Sequence, residues 1–354
     1  SRIGIKVLLI EKNEYPKHKV CGEYISNEIL PYMNWLSLDI SELKPTQISK
    51  LDFSIADGKR IECELPLGGF GVSRYALDEF LYKKAIQNGC EVIHDSVDDI
   101  VFENNVFTVS TSNYKTITSN FVIGAFGKRS NIDQRLKRAF VKQKSHWLAV
   151  KSHYLGVFPD DLVGLHNFEG GYCGVSKVEN NAINICYLAS YASFKKYKNI
   201  EDFQNQVVAK NPHLKSILDS SKMLFEAPLT ISQVSFDKKE LIENHVLMIG
   251  DSAGLIHPLC GNGMAMAIHS AKIISELIEK FYKNEIKSRD ELEKMYRKEW
   301  NVNFKSRLKF GRILSSVLQK QKISIVLMKI MIKFPSILPI IIKRTHGKLL
   351  AVDI

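Results

Sequence analysis

The alternation of apolar and polar residues is clearest between residues 246 and 281. Residues 246–249 form a short apolar run that predicts a buried strand, and Gly250 and Asp251 end it with a turn residue and a carboxylate. After an irregular segment, apolar residues recur at helical spacing: Met264, Ala267, Ile268, Ala271, Ile274 and Leu277. The pattern therefore predicts a strand, an acidic turn, a loop and a long helix, in that order.

This order of elements is typical of a ligand site. In a doubly wound sheet the loop lies at the carboxyl end of a strand, and the helix directs its free N–H groups and positive dipole end towards it. Gly261 and Gly263 lack a Cβ, so a flat ring could lie against the backbone. The alternative is a tight strand-to-helix junction without a ligand, but such a junction does not need Asp251, Pro258 and both glycines together.

The rest of the pattern predicts an α/β fold with a second, antiparallel sheet. Ser73 is a suitable N-cap for a helix that runs to about residue 88. Asp57 and Gly58 are a turn signal inside a predicted β-ribbon. Strands are expected at 6–10, 51–65, 90–93 and 120–125, in a small antiparallel meander across 97–118 with a turn at Asn104 and Asn105, and across 146–234. Further helices are expected at 200–220, 285–311 and 323–342.

Length and cysteine usage narrow the class of protein. The 354 residues suggest two or three domains with enough apolar content for a large core. Six cysteines are scattered without C-x-x-C spacing, so neither a zinc site nor another metal site nor a disulfide framework is indicated. We expect a reduced, cytoplasmic setting.

The chain is basic, with a net charge of +11 and a pI near 9.2. Its lysines and arginines are spread along the sequence, with local clusters at 195–196, 305–312 and 343–344. No nucleic-acid-binding motif accompanies them. Attraction to anionic lipid, or a generally basic host proteome, is therefore favoured over binding to nucleic acid.

The segment 323–342 is strongly apolar, but Lys329, Lys333, Pro335 and Pro339 interrupt it. A membrane span needs about 20 largely apolar residues, so this segment is a poor candidate for one. Packing against the core or a cavity is the first interpretation. Peripheral membrane contact through residues 323–344 is the second.

The segment GDSAGLIHPLCGNGMAMAIHSA, residues 250–271, resembles GD-x-A-G-x-x-x-P-x-x-G-x-G-x-x-x-A of the flavoprotein monooxygenase (aromatic hydroxylase-like) superfamily. That superfamily includes aromatic hydroxylases, flavin-dependent halogenases and geranylgeranyl reductases. The resemblance implies a cofactor-binding segment in which Asp251 holds a ribityl hydroxyl of FAD. It also implies that the loop and helix start lie at the pyrimidine edge of the flavin, through these residues: Gly250, Pro258, Gly261, Asn262, Gly263 and Met264.

Two further motifs point to the same family. KVCGEYIS, residues 19–26, resembles K-x-C-G-(G/E)-x-(L/I)-S of the geranylgeranyl reductase branch, which implies that Lys17 or Lys19 neutralises the FAD pyrophosphate. Cys21 would then lie near the reacting centre as a candidate catalytic residue that shapes or polarises the site, or it is simply a small buried residue. Arg74 begins a segment similar to the family's R-x-x-L/F-D-x-x-L helix, whose arginine reaches towards the ribityl and phosphate groups; a surface position is the alternative.

Glu11 ends the predicted strand 6–10. In a dinucleotide-binding βαβ unit, an acidic residue at the end of the second strand holds ribose hydroxyls, and we assign this role to Glu11. The unit should open with a first strand and G-x-G-x-x-G, and neither precedes Ser1. We therefore expect the sequence to start inside the first helix of the unit, with the phosphate loop upstream or lost. The alternative is that Glu11 ends an ordinary surface strand.

Two departures from the family pattern limit the prediction. Phe126 stands where the family's G-A-D-G-x-x-S has an aspartate, which weakens the case for NADPH binding in the manner of the hydroxylases. Residues 171–177 occupy the place of the reductase strand Y-x-W-x-F-P-K but are one residue shorter. Tyr172 and Lys177 therefore match only across a gap and are candidate substrate contacts, and an isoprenoid substrate cannot be carried over.

The resemblance implies an α/β fold with a Rossmann-like FAD/NAD(P)-binding domain, truncated at its N-terminus, and a β-sheet substrate domain. The expected boundaries are 1–50, 73–145 and 240–285 for the cofactor domain, 51–72 and 146–239 for the sheet domain, and 286–354 for a C-terminal helical region. The sheet domain is expected to roof the substrate cavity.

The expected function is that of an FAD-dependent oxidoreductase acting on a hydrophobic, lipid-, isoprenoid- or polyketide-like substrate. Either reduced flavin N5 delivers hydride to a carbon–carbon double bond, or a flavin hydroperoxide oxygenates the substrate, with NAD(P)H as a candidate electron donor. A halogenase ranks lower because the W-x-W-x-I-P signature is not evident. A non-catalytic homologue that binds lipids or small molecules is the remaining alternative.

Overall fold

The structure is a computed structural model that describes residues 1–113, 116–143, 145–232 and 234–352. The strands in these residues are β1 (Leu8–Ile10), β2 (Tyr24–Ser26), β3 (Thr46–Ser54), β4 (Arg60–Gly71), β5 (Glu91–Ile93), β6 (Val97–Glu103), β7 (Val106–Thr111), β8 (Ile117–Ser119), β9 (Ile123–Gly124), β10 (Trp147–Leu155), β11 (Leu162–Phe168), β12 (Gly171–Lys177), β13 (Ile183–Ser190), β14 (Lys222–Met223), β15 (Leu229–Ser232), β16 (Ile242–Glu243) and β17 (Val246–Met248). The α-helices are α1 (Leu30–Trp35), α2 (Arg74–Gln87), α3 (Asn131–Arg135), α4 (Tyr191–Phe194), α5 (Ile200–Gln206), α6 (Pro212–Asp219), α7 (Gly263–Tyr282), α8 (Arg289–Leu318), α9 (Gln321–Lys333) and α10 (Ile337–Thr345).

A large sheet dominates the molecule. Its strand order is β14-β10-β13-β12-β11-β3-β4-β2, and β15 also pairs with β10. All of its pairs are antiparallel except the pair of β11 with β3, which is parallel. β2 and the first residues of β3 join this sheet, so it extends across the boundary expected at residue 50. The predicted antiparallel sheet is confirmed.

Short parallel pairs form the second structural layer. β1 lies parallel to β5, and β17 lies parallel to β9 with β16 along its other edge. The strands β6, β7 and β8 make the predicted meander, whose turn places Asn104 and Asn105 at φ angles of 50° and 63°. Asparagine tolerates this left-handed backbone better than most residues, which explains the turn at this position.

The long helix α7 packs on β17. All three residues of β17 are buried, and Ile274 and Leu277 of α7 lie in the same core cluster. Tyr296 of α8 belongs to the same core cluster, and its hydroxyl donates to the carbonyl of Met248. The predicted order of strand, acidic turn, loop and helix is therefore present, and α8 packs against it.

The helices α9 and α10 cover one part of the large sheet. Met328, Met331, Leu338 and Ile342 are buried against β3 residues such as Phe53. Among the described residues, no single helix is long and apolar enough to cross a bilayer. The helices 322–333 and 337–345 together have the length and composition for it, but the chain bends by 116° between them.

Candidate functional site

A cavity of about 390 Å³ lies between the large sheet, the segment that joins β17 to α7, and the helices α8 to α10. This volume is within the range of small-molecule sites. Four charged residues contribute to its lining: Glu23, Arg74, Lys128 and Asp251. Most of the other lining side chains are aliphatic or aromatic.

Asp251 occupies the turn that follows β17. Gly250 before it has a φ of +55°, and a Cβ there would lie 3.2 Å from the Cβ of Ala267, so the turn favours glycine. Lys239 Nζ donates to the carbonyls of Asp251 (2.7 Å) and Lys128 (2.9 Å), which anchors the turn. Among the described residues, no hydrogen bond or ion pair engages the Asp251 carboxylate, so it is available to a ligand.

The start of α7 forms the adjacent wall. The helix begins at Gly263, and no side chain caps its first N–H groups. Asn262 is fully buried, and its Nδ2 donates to Glu28 Oε2 at 3.0 Å. Its Oδ1 is buried without a partner among the described residues. A long helix therefore presents a free N-terminus to the cavity.

Arg74 and Cys21 lie on the side formed by the motif of residues 19–26. Arg74 makes a two-pronged ion pair with Asp78, with distances of 2.6 and 2.7 Å, and Lys19 Nζ lies 3.0 Å from the same carboxylate. Burial alone would lower the pKa of Arg74, but Asp78, Cys21 and Asp251 raise it, so the guanidinium stays charged. Cys21 Sγ lies 3.8 Å from Met264 Sδ, at the start of α7.

The structure brings most of the predicted site residues to one cavity. Its lining includes these candidates: Cys21, Arg74, Tyr172, Gly250, Asp251, Pro258, Gly261, Asn262, Gly263 and Met264. The four segments that suggested them are separated by up to about 240 residues, so their convergence is a result of the fold.

Three candidates are not among the residues that line the cavity. Glu11 follows β1, and its carboxylate accepts hydrogen bonds from the backbone and side chain of Asn13. Lys19 reaches the site only through Asp78. Lys177 pairs with Asp160 at 2.5 Å. Because Lys177 comes five residues after Tyr172 on one strand, their side chains point to opposite faces of the sheet, and only Tyr172 reaches the cavity.

The structure shows a buried charged cluster at the cavity wall that was not predicted from the sequence. Glu23 and Lys151 are both fully buried, with Nζ and Oε1 2.5 Å apart, and His153 Nε2 lies 2.7 Å from the other carboxylate oxygen. Glu23 Oε1 also accepts from the backbone N–H of Arg74, at the start of α2. The available signal was a lysine in the middle of the apolar strand WLAVKSHYL, because a fully buried lysine needs a partner.

His257 is buried in an aromatic group with Trp147, Tyr172 and Phe236, within ring-centroid distances of 6.0, 5.4 and 4.5 Å. Burial lowers its pKa to about 3, so the imidazole is neutral at physiological pH. Its Nε2 shares a hydrogen bond of 2.8 Å with the Ser315 hydroxyl on α8. This contact fixes the loop before α7 against α8.

The arrangement fits a flavin. An unpaired carboxylate suits the hydroxyls of a ribityl chain, and an uncapped helix N-terminus suits an electron-rich ring edge. Gly261, at a φ of +61°, would place a Cβ 3.2 Å from the Tyr24 ring, whereas a Cβ on Gly263 would meet its nearest atom at 3.8 Å. Arg74 supplies a fixed positive charge beside them. These residues could hold the ribityl and ring portions of FAD.

Comparison with protein families agrees with this geometry. The model of the family described as "FAD binding domain" matches residues 1–299. Among curated proteins, "Conditioned medium factor receptor 1" of Dictyostelium discoideum is 26% identical over 347 residues, which cover 86% of this chain and 64% of that protein. The chain therefore spans less than two thirds of this relative's length.

A second relative is "Digeranylgeranylglycerophospholipid reductase 2" of Methanothermobacter thermautotrophicus, 25% identical over 351 residues, covering 90% of this chain and 83% of the relative. Among solved structures, that of the flavin-dependent brominase Bmp2 superposes with a TM-score of 0.79 at 14% identity. It covers 99% of this chain and 89% of the brominase. This likeness confirms the predicted fold class.

Proposed function

Because the chain belongs to the FAD binding domain family, we propose that it is an FAD-dependent oxidoreductase that reduces carbon–carbon double bonds in an apolar, isoprenoid-like substrate. The observation that carries this proposal is the division of the cavity into two parts. One part gathers the charged and polar groups that suit a flavin. The other part is almost wholly aliphatic.

The aliphatic part is built from the large sheet and the C-terminal helices. Its side chains are Leu51, Phe53, Leu65, Val163, Leu165, Leu314, Leu318, Leu327, Met331, Leu338, Ile341 and Ile342. Such a surface stabilises a hydrocarbon chain by about 0.8 kcal/mol for each buried CH₂ group. It offers few polar groups that would orient a small polar substrate, so a long unsaturated chain is the class of ligand that it fits.

Each charged group at the other end, except one, already has a protein partner in the described structure. Glu23 binds Lys151 and His153, Arg74 binds Asp78, and Lys128 Nζ donates to the carbonyl of Val20 at 3.1 Å. Asp251 is the exception. We assign to Asp251 the binding of cofactor hydroxyls.

FAD, when bound, would supply hydride equivalents to the substrate. The chain's own residues position the reactants and set the electrostatic field. The N-terminus of α7 and the guanidinium of Arg74 stabilise negative charge at the polar end of the cavity. Cys21 remains a candidate catalytic residue at this end, where its thiol contacts Met264. The sheet and the C-terminal helices hold the apolar chain and limit the access of water.

The name of the reductase from Methanothermobacter thermautotrophicus supports an isoprenoid-like lipid as the substrate. The missing tryptophan and proline in residues 171–177 argue for a cavity wall of different shape. Gly174 lines the cavity in this strand. We therefore propose an unsaturated polyprenyl chain as the class and assign no headgroup.

The test is turnover without oxygen. The purified chain, reconstituted with FAD and reduced by dithionite in an anaerobic chamber, is incubated with a polyprenyl lipid, and products are analysed by mass spectrometry. We expect a gain of two hydrogens per reduced double bond. Products that form only with O₂ and contain an added oxygen, or products that require halide, would overturn the proposal.

Two variants make this test specific. Asp251→Ala should lose flavin and turnover together, whereas Lys177→Met, which changes a lysine outside the cavity, should retain both. A full-length protein that FAD cannot reconstitute would instead support the alternative of a non-catalytic binding protein.

A further inference from the structure

The C-terminal part of this protein carries a large excess of positive charge. Residues 300–352 contain eleven lysines and arginines and no aspartate or glutamate, and this number equals the net charge of +11. Over the rest of the chain, basic and acidic residues are therefore equal in number. Lysines and arginines occur throughout the sequence, but this long part contains no carboxylate to balance them.

Helix α9 has two apolar faces. Met328 and Met331 are buried against the large sheet. On the opposite face, Ile323, Val326 and Ile330 follow the spacing i, i+3, i+7, which aligns them in one stripe. All three are exposed, Val326 to 55%, and Phe334 at the end of the helix is 52% exposed.

Lysines accompany this exposed stripe. Lys322, Lys329 and Lys333 are exposed on α9, and Lys343 and Arg344 are exposed on α10, one turn after Ile340, which is 56% exposed. Among the described residues, no carboxylate lies within 4.0 Å of these five cationic groups. An apolar stripe beside unpaired cations is the composition of a helix that lies in the interface of an anionic bilayer.

A groove of about 400 Å³ continues this surface between α8 and α10. Basic side chains line it, together with Phe310 and Ile313. The lining residues are Ser306, Arg307, Lys309, Phe310, Ile313, Lys343, Arg344 and His346. Arg307 is partly neutralised by Glu28 at 3.4 Å, but Lys309, Lys343 and Arg344 have no such partner among the described residues. The groove therefore combines cationic and apolar groups, as a phospholipid headgroup and its first methylene groups require.

We propose that the outer face of α9 and α10, with the adjoining groove, docks this protein onto an anionic lipid bilayer. Val326, Ile330, Phe334 and Ile340 would enter the acyl boundary, and the unpaired lysines and arginines would lie among the headgroups. This docking does not depend on the proposed reductase activity. Because Leu327, Met331 and Ile341 of the same helices line the cavity, docking would place the cavity wall against the bilayer.

The chemistry of the surface favours a bilayer over other partners. A protein partner would need a complementary acidic surface to pair with the row of lysines. A nucleic acid would match the charge but would leave the apolar stripe in water. An anionic membrane satisfies both components at once.

Vesicle binding tests the proposal. The full chain is mixed with phosphatidylcholine vesicles that contain or lack phosphatidylserine, and bound protein is measured by co-sedimentation at low and high salt. We expect binding to the anionic vesicles that falls as salt rises, and much weaker binding to neutral vesicles. Equal binding to both kinds of vesicle, or binding to neither, would overturn it.

Paired variants locate the surface. Val326→Glu with Ile330→Glu should weaken vesicle binding at least about tenfold, as should Lys343→Glu with Arg344→Glu. The matched controls are Val157→Glu, at an exposed valine on the sheet domain, and Lys195→Glu with Lys196→Glu. Both controls should bind vesicles as the unaltered chain does, and circular dichroism checks that every variant is folded.

Three further results would refute this assignment. If the variants and the controls lose binding equally, the attraction is a general effect of net charge. If vesicle-bound protein resists extraction at alkaline pH, the helices insert into the bilayer and do not dock on its surface. Binding of a duplex oligonucleotide in place of vesicles would assign the surface to nucleic acid.

Discussion

Replacing Lys151 with methionine should test the buried charged cluster at the cavity wall. Methionine keeps the length and apolar stem of lysine but removes the amine that lies 2.5 Å from Glu23 Oε1. The carboxylate, fully buried, would retain its hydrogen bonds with His153 Nε2 and with the Arg74 N–H. The variant therefore leaves a buried charge only partly compensated.

The expected cost follows from this geometry. Removing one partner of a buried ion pair costs about 3–5 kcal/mol. We expect about 3 kcal/mol for Lys151→Met, since the hydrogen bonds of the carboxylate with His153 and the Arg74 N–H remain. Glu23→Gln keeps an acceptor for the Arg74 N–H but leaves Lys151 buried without a counter-charge, so about 4 kcal/mol is expected. The loss of stability in the double variant should be smaller than the sum of the losses in the two single variants by at least about 2 kcal/mol.

Urea unfolding monitored by tryptophan fluorescence measures these differences. Trp147 lies on β10 with Lys151 and His153, so its emission reports on the sheet domain. An effect below about 0.5 kcal/mol for Lys151→Met, or additive effects in the double variant, would refute the buried pair.

The same cluster predicts a pH dependence. Burial alone would raise the pKa of Glu23, but the hydrogen bond from His153 and the charge of Lys151 lower it below its ordinary value of 4.5. A carboxyl group whose pKa is lower in the folded state than in the unfolded state stabilises the folded protein at pH values above the unfolded pKa. This stabilisation is lost as the pH falls through the folded pKa. The difference between the unaltered chain and Lys151→Met should therefore shrink below pH 4.5. A difference that is constant with pH would contradict this assignment.

Three further predictions concern the loop between β17 and α7. Asp251→Asn should weaken FAD binding about 10- to 100-fold by fluorescence titration, since a carboxylate hydrogen bond contributes about 1.5–3 kcal/mol. Gly263→Ala should leave the free energy of unfolding unchanged or raise it by up to about 1 kcal/mol, because its Cβ would meet its nearest atom at 3.8 Å, yet it should lower FAD affinity by crowding the ring site. Burial lowers the pKa of Lys239 to about 8, so its protonated form opposes folding, and stability relative to Lys239→Met should rise between pH 8 and 10.5 by up to about 1.4 kcal/mol per pH unit.

The first of these predictions has a control variant, and each of the three has a contradicting result. Asp219→Asn, on the exposed end of α6, should leave FAD affinity unchanged. An equal loss of FAD affinity in Asp219→Asn and Asp251→Asn would show that the effect is not specific to Asp251. Unfolding of Gly263→Ala at a lower urea concentration would show that the glycine serves packing. A stability difference for Lys239→Met that does not vary above pH 8 would mean that the buried amine stays charged.

Much of the local structure could be predicted from the sequence. The helix capped by Ser73 begins at Arg74, and the Ser73 hydroxyl accepts from the N–H of Ala76. The turn at Asn104 and Asn105 and the order of β17, acidic turn and α7 are also as predicted. These features depend on residues that are close in sequence, because capping, turn chemistry and apolar periodicity are local properties. The motifs that resemble cofactor-binding segments could be recognised in the same way, because each is a short run of residues that are close in sequence.

Contacts between residues that are far apart in the chain could be assigned only from the folded structure. Glu23 meets Lys151 across 128 residues, and Glu28 meets the backbone N–H of Gly347 across 319 residues. No local pattern specifies such partners, because they depend on which strands are neighbours in the sheet and how the chain crosses it.

The choice of face was decided in the same way. Tyr172 and Lys177 share a strand, and the fold turns the tyrosine to the cavity and directs the lysine to Asp160. The apolar segment 323–342 predicted packing or membrane contact but could not say which face does which. Local sequence patterns specify which elements form and which residue types are available to a flavin. The packing of α9 and α10 on the large sheet decided which apolar side chains line the cavity and which remain in solvent beside unpaired cations, because burial is a property of the assembled layers.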